Sequence, residues 1–192
     1  MPPDFIAVGH ATLDLIATPL DPIGEIHHGG AVTYGAALAA RHGWSAGVVT
    51  STADDFDFDK VLPGVEIANT RGPNTSTFIN DYRSGSRRQS LAARAKYLDW
   101  QAVPADWRSP RMALLGPLTN EMPMSALDWF PDATVVAVPQ GWFRSWSVVH
   151  DHSDEISESQ TEPKKGWSEI VLNPRPPQID SVTAAGHRTR SR

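Results

Sequence analysis

The sequence contains no cysteine. Disulfides, thiol catalysis and Cys-ligated zinc are therefore excluded. It also has no excess of basic residues: 17 Lys and Arg stand against 22 Asp and Glu, a formal net charge of -5. Nucleic acid and anionic membranes are held by clustered Lys and Arg, so neither is an expected partner. Long apolar runs are missing too. The opening Met1-Pro2-Pro3-Asp4 has no basic region, and the apolar run behind it is broken by His10 and Asp14. Neither a signal peptide nor a membrane span fits, and a cytoplasmic location is the expectation.

What remains is an ordinary globular composition, 40% hydrophobic and 20% charged in 192 residues, enough for one sizeable core. Short apolar runs predict buried strands at Phe5–Gly9, Ala46–Thr50, Val65–Thr70, Met112–Gly116 and Thr134–Val138. Leu13–Ala17 reads as the continuation or partner of the first. Ala31–His42 reads as a helix, with Val32, Ala36, Ala39 and Ala40 near one face and Gly43 just past its end. Met124–Phe130 reads as a short helix. Strand, helix, strand at this spacing predicts parallel crossovers and a sheet covered on both faces. Thr75–Tyr82 and Arg87–Leu91, joined by Ser84-Gly85-Ser86, are too polar for the centre of such a sheet. They predict a β-hairpin flap.

The pattern stops near residue 146. Residues 151–166 are almost wholly polar, only Ile170-Val171-Leu172 resembles a strand, and Asn173-Pro174-Arg175-Pro176-Pro177 is poor in backbone donors. The expected division is an organised part, 1–146, and a divergent, disordered or loosely attached tail, 147–192. No internal repeat is visible.

Three features could hold a small polar ligand. Asp14 lies just beyond the first strand, where a carboxylate can accept two hydroxyl hydrogen bonds. Gly29-Gly30 directly precede the helix, letting backbone approach a ligand and leaving the amides of the helix start free to donate. The flap could close over the site and exclude water. The first two also have plain readings, as a surface aspartate in a turn and a simple loop.

In order, these segments resemble the ribokinase-like (PfkB) carbohydrate kinases. The resemblance runs through Ile6–Asp14, Gly29–Gly43, Val48–Phe56, Asn74–Phe78, Leu114–Leu118 and Val138–Trp142, and covers roughly residues 4–146. It implies a Rossmann-like α/β fold and ATP-dependent, magnesium-assisted phosphoryl transfer to a sugar or polyol. Asp14, Gly29 and Gly30 would hold the acceptor. Tyr34 stands where the family often has Asn, which alters the pocket and leaves substrate class open. The family's chemistry rests on a Gly-Ala-Gly-Asp element that supplies an anion hole and a base. No such element occurs here. Thr183-Ala184-Ala185-Gly186-His187 is the nearest echo, and Pro176 replaces the Glu expected after Ile170-Val171-Leu172-Asn173. No catalytic residue, nucleotide site or metal site is therefore assigned from sequence. The alternative to an active kinase is a truncated or frameshifted remnant, inactive, that retains at most acceptor binding or association through its flap, including a homo-oligomer.

Other patterns carry less. Asp55-Phe56-Asp57-Phe58-Asp59 with Glu66 has calcium-loop spacing, but Lys60 occupies the position that needs Gly. His27-His28 and His150-Asp151-His152 read as exposed loop histidines, since no third ligand cluster supports a metal. Arg87-Arg88 reads as a charged edge that discourages strand aggregation, although a flap arginine could also meet a phosphate. Trp100, Trp107, Trp129 and Trp142 are expected to pack the layers that cover the sheet.

Overall fold

The strand β1 (Phe5–Val8) is buried at every position, as is the run Ala46–Thr50 on one side of it and, but for the half-buried Met112, the run Met112–Leu115 on the other. This is the signature of a central strand in a sheet covered on both faces. The structure, a computed structural model, describes residues 2–145 and 173–174. The remaining elements are β2 (Thr12–Ala17), β3 (Glu25–Gly29), α1 (Ala31–Arg41), β4 (Ala46–Thr50), α2 (Phe58–Val61), β5 (Glu66–Asn69), β6 (Ser76–Asp81), β7 (Arg88–Ala93), β8 (Met112–Leu115) and β9 (Thr134–Ala137). Five parallel strands form the main sheet in the order β5-β4-β1-β8-β9.

Alternation along β1 divides the core in two. Phe5 and Ala7 face α1 and pack with Val32, Ala36, Val48 and Leu114. Ile6 and Val8 face the other way, onto Leu98, Val103, Met122 and Phe130. Short 3-10 turns rather than long helices cover this second face, among them Met124–Asp128, where a short helix is expected from sequence. Pro123 starts that turn and Pro131 lies three residues past its end. Trp100, Trp107, Trp129 and Trp142 all pack in this layer. Fully burying a side chain such as Phe130 contributes roughly 1.5–3 kcal/mol. Helix α1 ends as its sequence implies, with Gly43 at φ +80° just beyond it.

A second sheet sits beside the first, in the order β3-β2-β6-β7. This corrects two expectations. Leu13–Ala17 does not extend or pair with β1: it is β2, antiparallel to β3 and parallel to β6. Gly9, at φ +152° and pressed against the Gly116 backbone, turns the chain out of the main sheet before β2 begins. Likewise the flap is not a lone hairpin but four strands, of which β6 and β7 are the antiparallel pair that the sequence suggests. Strand β3 escapes a pattern reading because Glu-Ile-His-His-Gly shows no apolar alternation. Its hydrogen bonds to β2 make it a strand. His27 and His28 therefore lie on a strand and not in a loop.

Past the main sheet, Arg144–Ser145 pairs antiparallel with Asn173–Pro174, a stretch expected to be poor in ladder donors. The expectations for the rest of 147–192, including residues 150–152, 170–172 and 183–187, lie outside the described residues. No helix among the described residues is long and apolar enough to cross a membrane.

Candidate functional site

The loops that follow the carboxyl ends of the main strands meet the inner face of the second sheet. Between them lies a cavity of about 250 Å3. Thr12 and Asp14 enter it from β2, Phe78 from β6, and Arg87 and Gln89 from the start of β7. Gly30, Ala31 and Tyr34 enter from the start of α1, and Leu118, Gln140 and Arg144 from the loops after β8 and β9. Crevices beyond the carboxyl ends of parallel strands are where open α/β sheets place ligands.

The structure thus brings three of the sequence-derived residues, Asp14, Gly30 and Tyr34, onto one cavity wall. Asp14 sits mid-way along β2 rather than at the end of the first strand. Its Oδ1 lies 3.5 Å from the Thr12 hydroxyl, a long hydrogen bond. Burial raises the pKa of the Asp14 carboxyl above its ordinary value, against the opposing effects of the Thr12 hydroxyl and of the charges on Arg87, His27 and Arg144.

The fourth residue, Gly29, does not line the cavity; it closes β3 beneath it. A Cβ there would run into the Asp14 carboxylate and lie 2.7 Å from Thr12 Oγ1, so glycine makes room for the acid. Gly30 has φ +100° and rests against the His10 carbonyl, a combination open only to glycine. It caps α1 without a side chain, so no side chain covers the first amides of the helix. Tyr34 is 65% exposed at the rim. Its hydroxyl donates to the His28 carbonyl at 3.2 Å, tying α1 to β3.

Two arrangements escape sequence reasoning. The first is the pairing of Arg87, singled out in the sequence as a flap arginine, with Arg144, which the sequence does not single out. Arg87 donates twice to Asn80 Oδ1, at 3.0 and 2.8 Å. Arg144 donates to the Leu118 carbonyl at 3.1 Å and to Gln89 Oε1 at 3.2 Å, with the Phe78 ring beneath it. Gln89 in turn donates to Asn80 Oδ1 at 2.7 Å. A chain of neutral amides therefore holds the two cations on one cavity. Burial lowers the pKa of Arg144 from its usual value, and the neighbouring charge of Arg87 lowers it further.

The second arrangement lies below the cavity floor. His10 and Glu121 are fully buried. Glu121 accepts from the backbone amides of His10 (3.0 Å), Leu118 (2.9 Å) and Thr119 (2.6 Å). His10 Nε2 donates to the Lys96 carbonyl at 2.8 Å, which leaves Nδ1 to accept from Ser76 Oγ at 2.8 Å. Burial lowers the pKa of His10, with Glu121 pulling the other way. This network joins β1, β6 and the loop after β8, and so fixes the second sheet over the first. Its only sequence signal is the interruption of an apolar run by His10.

The calcium-like segment is used locally: Asp57 caps α2 by accepting from the Lys60 amide at 3.1 Å, and Asp55 accepts from the Thr75 hydroxyl. Among the described residues, no three His, Asp or Glu side chains converge as a metal site. Among the described residues, Asp14 is the only carboxylate on the cavity wall and shares it with the guanidinium groups of Arg87 and Arg144, so these residues do not fit a magnesium site. The cavity is also smaller than the roughly 300–1,000 Å3 of pockets for drug-sized ligands. It is large enough to take a monosaccharide-sized molecule.

No family model matches the sequence. No curated protein matches it either. Solved structures do match in fold. A pyrophosphate-dependent kinase in the ribokinase family, complexed with a pyrophosphate analog and myo-inositol, superposes with a TM-score of 0.63 at 22% identity, over 74% of this chain and 52% of that one. The ribokinase of Thermotoga maritima gives 0.55 at 18% identity, over 70% and 52%. Arabidopsis thaliana ribokinase, complexed with ribose and ATP, gives 0.53 at 15% identity, over 71% and 53%. The fold is ribokinase-like, and the chain spans about half the length of these structures.

Proposed function

We propose that residues 2–145 form the acceptor-binding part of a sugar or polyol phosphotransferase. The observation that carries this reading is that Asp14 and the uncapped start of α1 line the same cavity. A carboxylate accepts from neighbouring hydroxyls while helix amides donate to ligand oxygens, which is the pairing that a polyol needs. The fold supports it, since a structure of the same fold holds myo-inositol and another holds ribose. Titration calorimetry of the full chain with myo-inositol and ribose tests it. Heat that saturates for wild type and is weakened in Asp14→Asn supports the reading; no saturable binding of any sugar or polyol overturns it.

Turnover is a separate matter. The phosphate donor of a neighbouring structure is ATP in one case and pyrophosphate in another. No donor site is assigned among the described residues, and no Gly-Ala-Gly-Asp element occurs in the sequence. Acceptor binding without phosphoryl transfer by this chain alone is the reading taken. Consumption of ATP or pyrophosphate that depends on a sugar would overturn that part and leave acceptor binding standing.

A second reading, self-association through the second sheet, is favoured by one observation. Leu20, Ile23 and Ile26, at the β2–β3 end of the sheet, are 97%, 86% and 64% exposed, and among the described residues β3 is an edge strand with no partner on its outer side. Exposed apolar groups beside an open strand edge favour pairing with another chain. Sedimentation velocity would show a dimer that Ile26→Lys dissociates; a monomer at all concentrations would rule it out.

A further inference from the structure

We infer that the acceptor carries an anionic substituent, a carboxylate or a phosphate, that lies between Arg87 and Arg144 while its hydroxyls meet Asp14. The inference rests on the acceptor-site reading above and names the class of acceptor.

Charge on the cavity wall is the first reason. Two guanidinium groups share it with one carboxylate, in a chain of net charge -5. Asp14 can balance one of them, and the buried Glu121 offsets Arg144 only from below the cavity floor, where backbone amides already occupy its carboxylate. Neither arginine is in an ion pair with any carboxylate of the described residues, and their hydrogen bonds run to neutral oxygens of Asn80, Gln89 and Leu118. A neutral polyol offers nothing to the surplus cation.

Placement is the second reason. Like charges separate unless something holds them. Here Asn80 and Gln89 link the two side chains through amide groups and fix both on one cavity. Arg144 is also seated over the Phe78 ring. Burial and the charge of Arg87 lower its pKa, against the opposing effects of Glu121 and Asp14. The start of α1 faces the same space without a capping side chain and adds partial positive charge. A planar carboxylate or a phosphate between two forked donors satisfies them both.

The test is titration calorimetry on the full chain with matched ligands: glucose, glucuronate and glucose 6-phosphate, with inorganic phosphate and pyrophosphate alone as references. At least one charged sugar is expected to bind about tenfold or more tighter than glucose. That preference should fall to within about threefold in Arg87→Gln and in Arg144→Gln, and shrink as NaCl rises from about 50 to about 500 mM. Arg71→Gln, which removes an equal charge from an Asp54-paired surface site, should keep it. Arg87 is exposed at the rim, so its variant reports even if Arg144→Gln fails to fold. The stronger of the two charged sugars identifies the substituent. Equal binding of glucose and both charged sugars overturns the inference and leaves the acceptor site intact. So does a preference that survives both substitutions, or phosphate or pyrophosphate alone binding as tightly as the charged sugars. If no sugar of any kind binds, the acceptor-site reading itself has failed.

Discussion

Asp14 and Gly29 are diagonal neighbours on the antiparallel pair β2–β3, and the carboxylate of one fills the space a side chain on the other would need. Gly29→Ala must therefore push the acid out of its position. Overpacking of this kind costs about 1–3 kcal/mol. A lower melting temperature, with polyol affinity reduced at least about tenfold, is the expected outcome in melts and calorimetry. Unchanged affinity would mean that Asp14 does not need its present position.

Asp14 itself is expected to trade stability for binding. Its folded pKa is raised by burial, so the native state takes up its proton at a higher pH than the unfolded chain does. Any stabilisation from that proton is complete below the unfolded pKa and is lost as pH rises through the folded one. At pH 7 the charged form is a burden, and Asp14→Asn should melt no lower than wild type. The difference should close as pH falls towards 3. Sugar binding should weaken about 10- to 100-fold, the value of one or two hydrogen bonds to a charged group.

His10 behaves oppositely. Its folded pKa is lowered, first by burial and in spite of Glu121. It thus adds stability that is present above the unfolded value of 6.5 and lost as pH falls through the folded pKa. Wild-type melting temperature should drop on acidification below about pH 6.5. In His10→Gln, that part of the slope should disappear, although the variant starts less stable because the bonds to Ser76 and Lys96 are disturbed. An identical slope in both proteins would count against this role for His10.

Glu121 anchors the loop after β8. Three backbone amides and the Thr119 hydroxyl converge on its carboxylate. Glu121→Gln places an amide NH2 against those donors and should cost about 2–4 kcal/mol by urea unfolding, because each buried donor left unpaired costs about 1–3 kcal/mol. Leu118 lines the cavity from the same loop, so acceptor affinity should fall with it. Glu121→Asp, a shorter acid, should recover part of the loss.

Much of the fold is legible in the chain. The runs Phe5–Val8, Ala46–Thr50 and Met112–Leu115 read as buried parallel strands, being short and apolar on both faces, and are strands of the main sheet. The period of α1 and its Gly43 stop are equally direct. Asp14 and Gly30 stand out because an acid in an apolar run and a glycine at a helix start are local facts. Strand β3 is not legible, because its strand character comes from the partner β2 and not from its own residues.

Sequence by itself thus determined the parallel sheet, its first helix and the acidic side of the cavity, all of which depend on short-range pattern. Only the tertiary structure decided that the flap is a four-stranded sheet, that Gly29 serves Asp14 from below, and that Arg87 and Arg144 face the same space. Those relationships join residues up to 130 positions apart, such as Asp14 and Arg144. No periodicity records such a pairing: a side chain's neighbours across a fold are set by how sheets and loops close on one another.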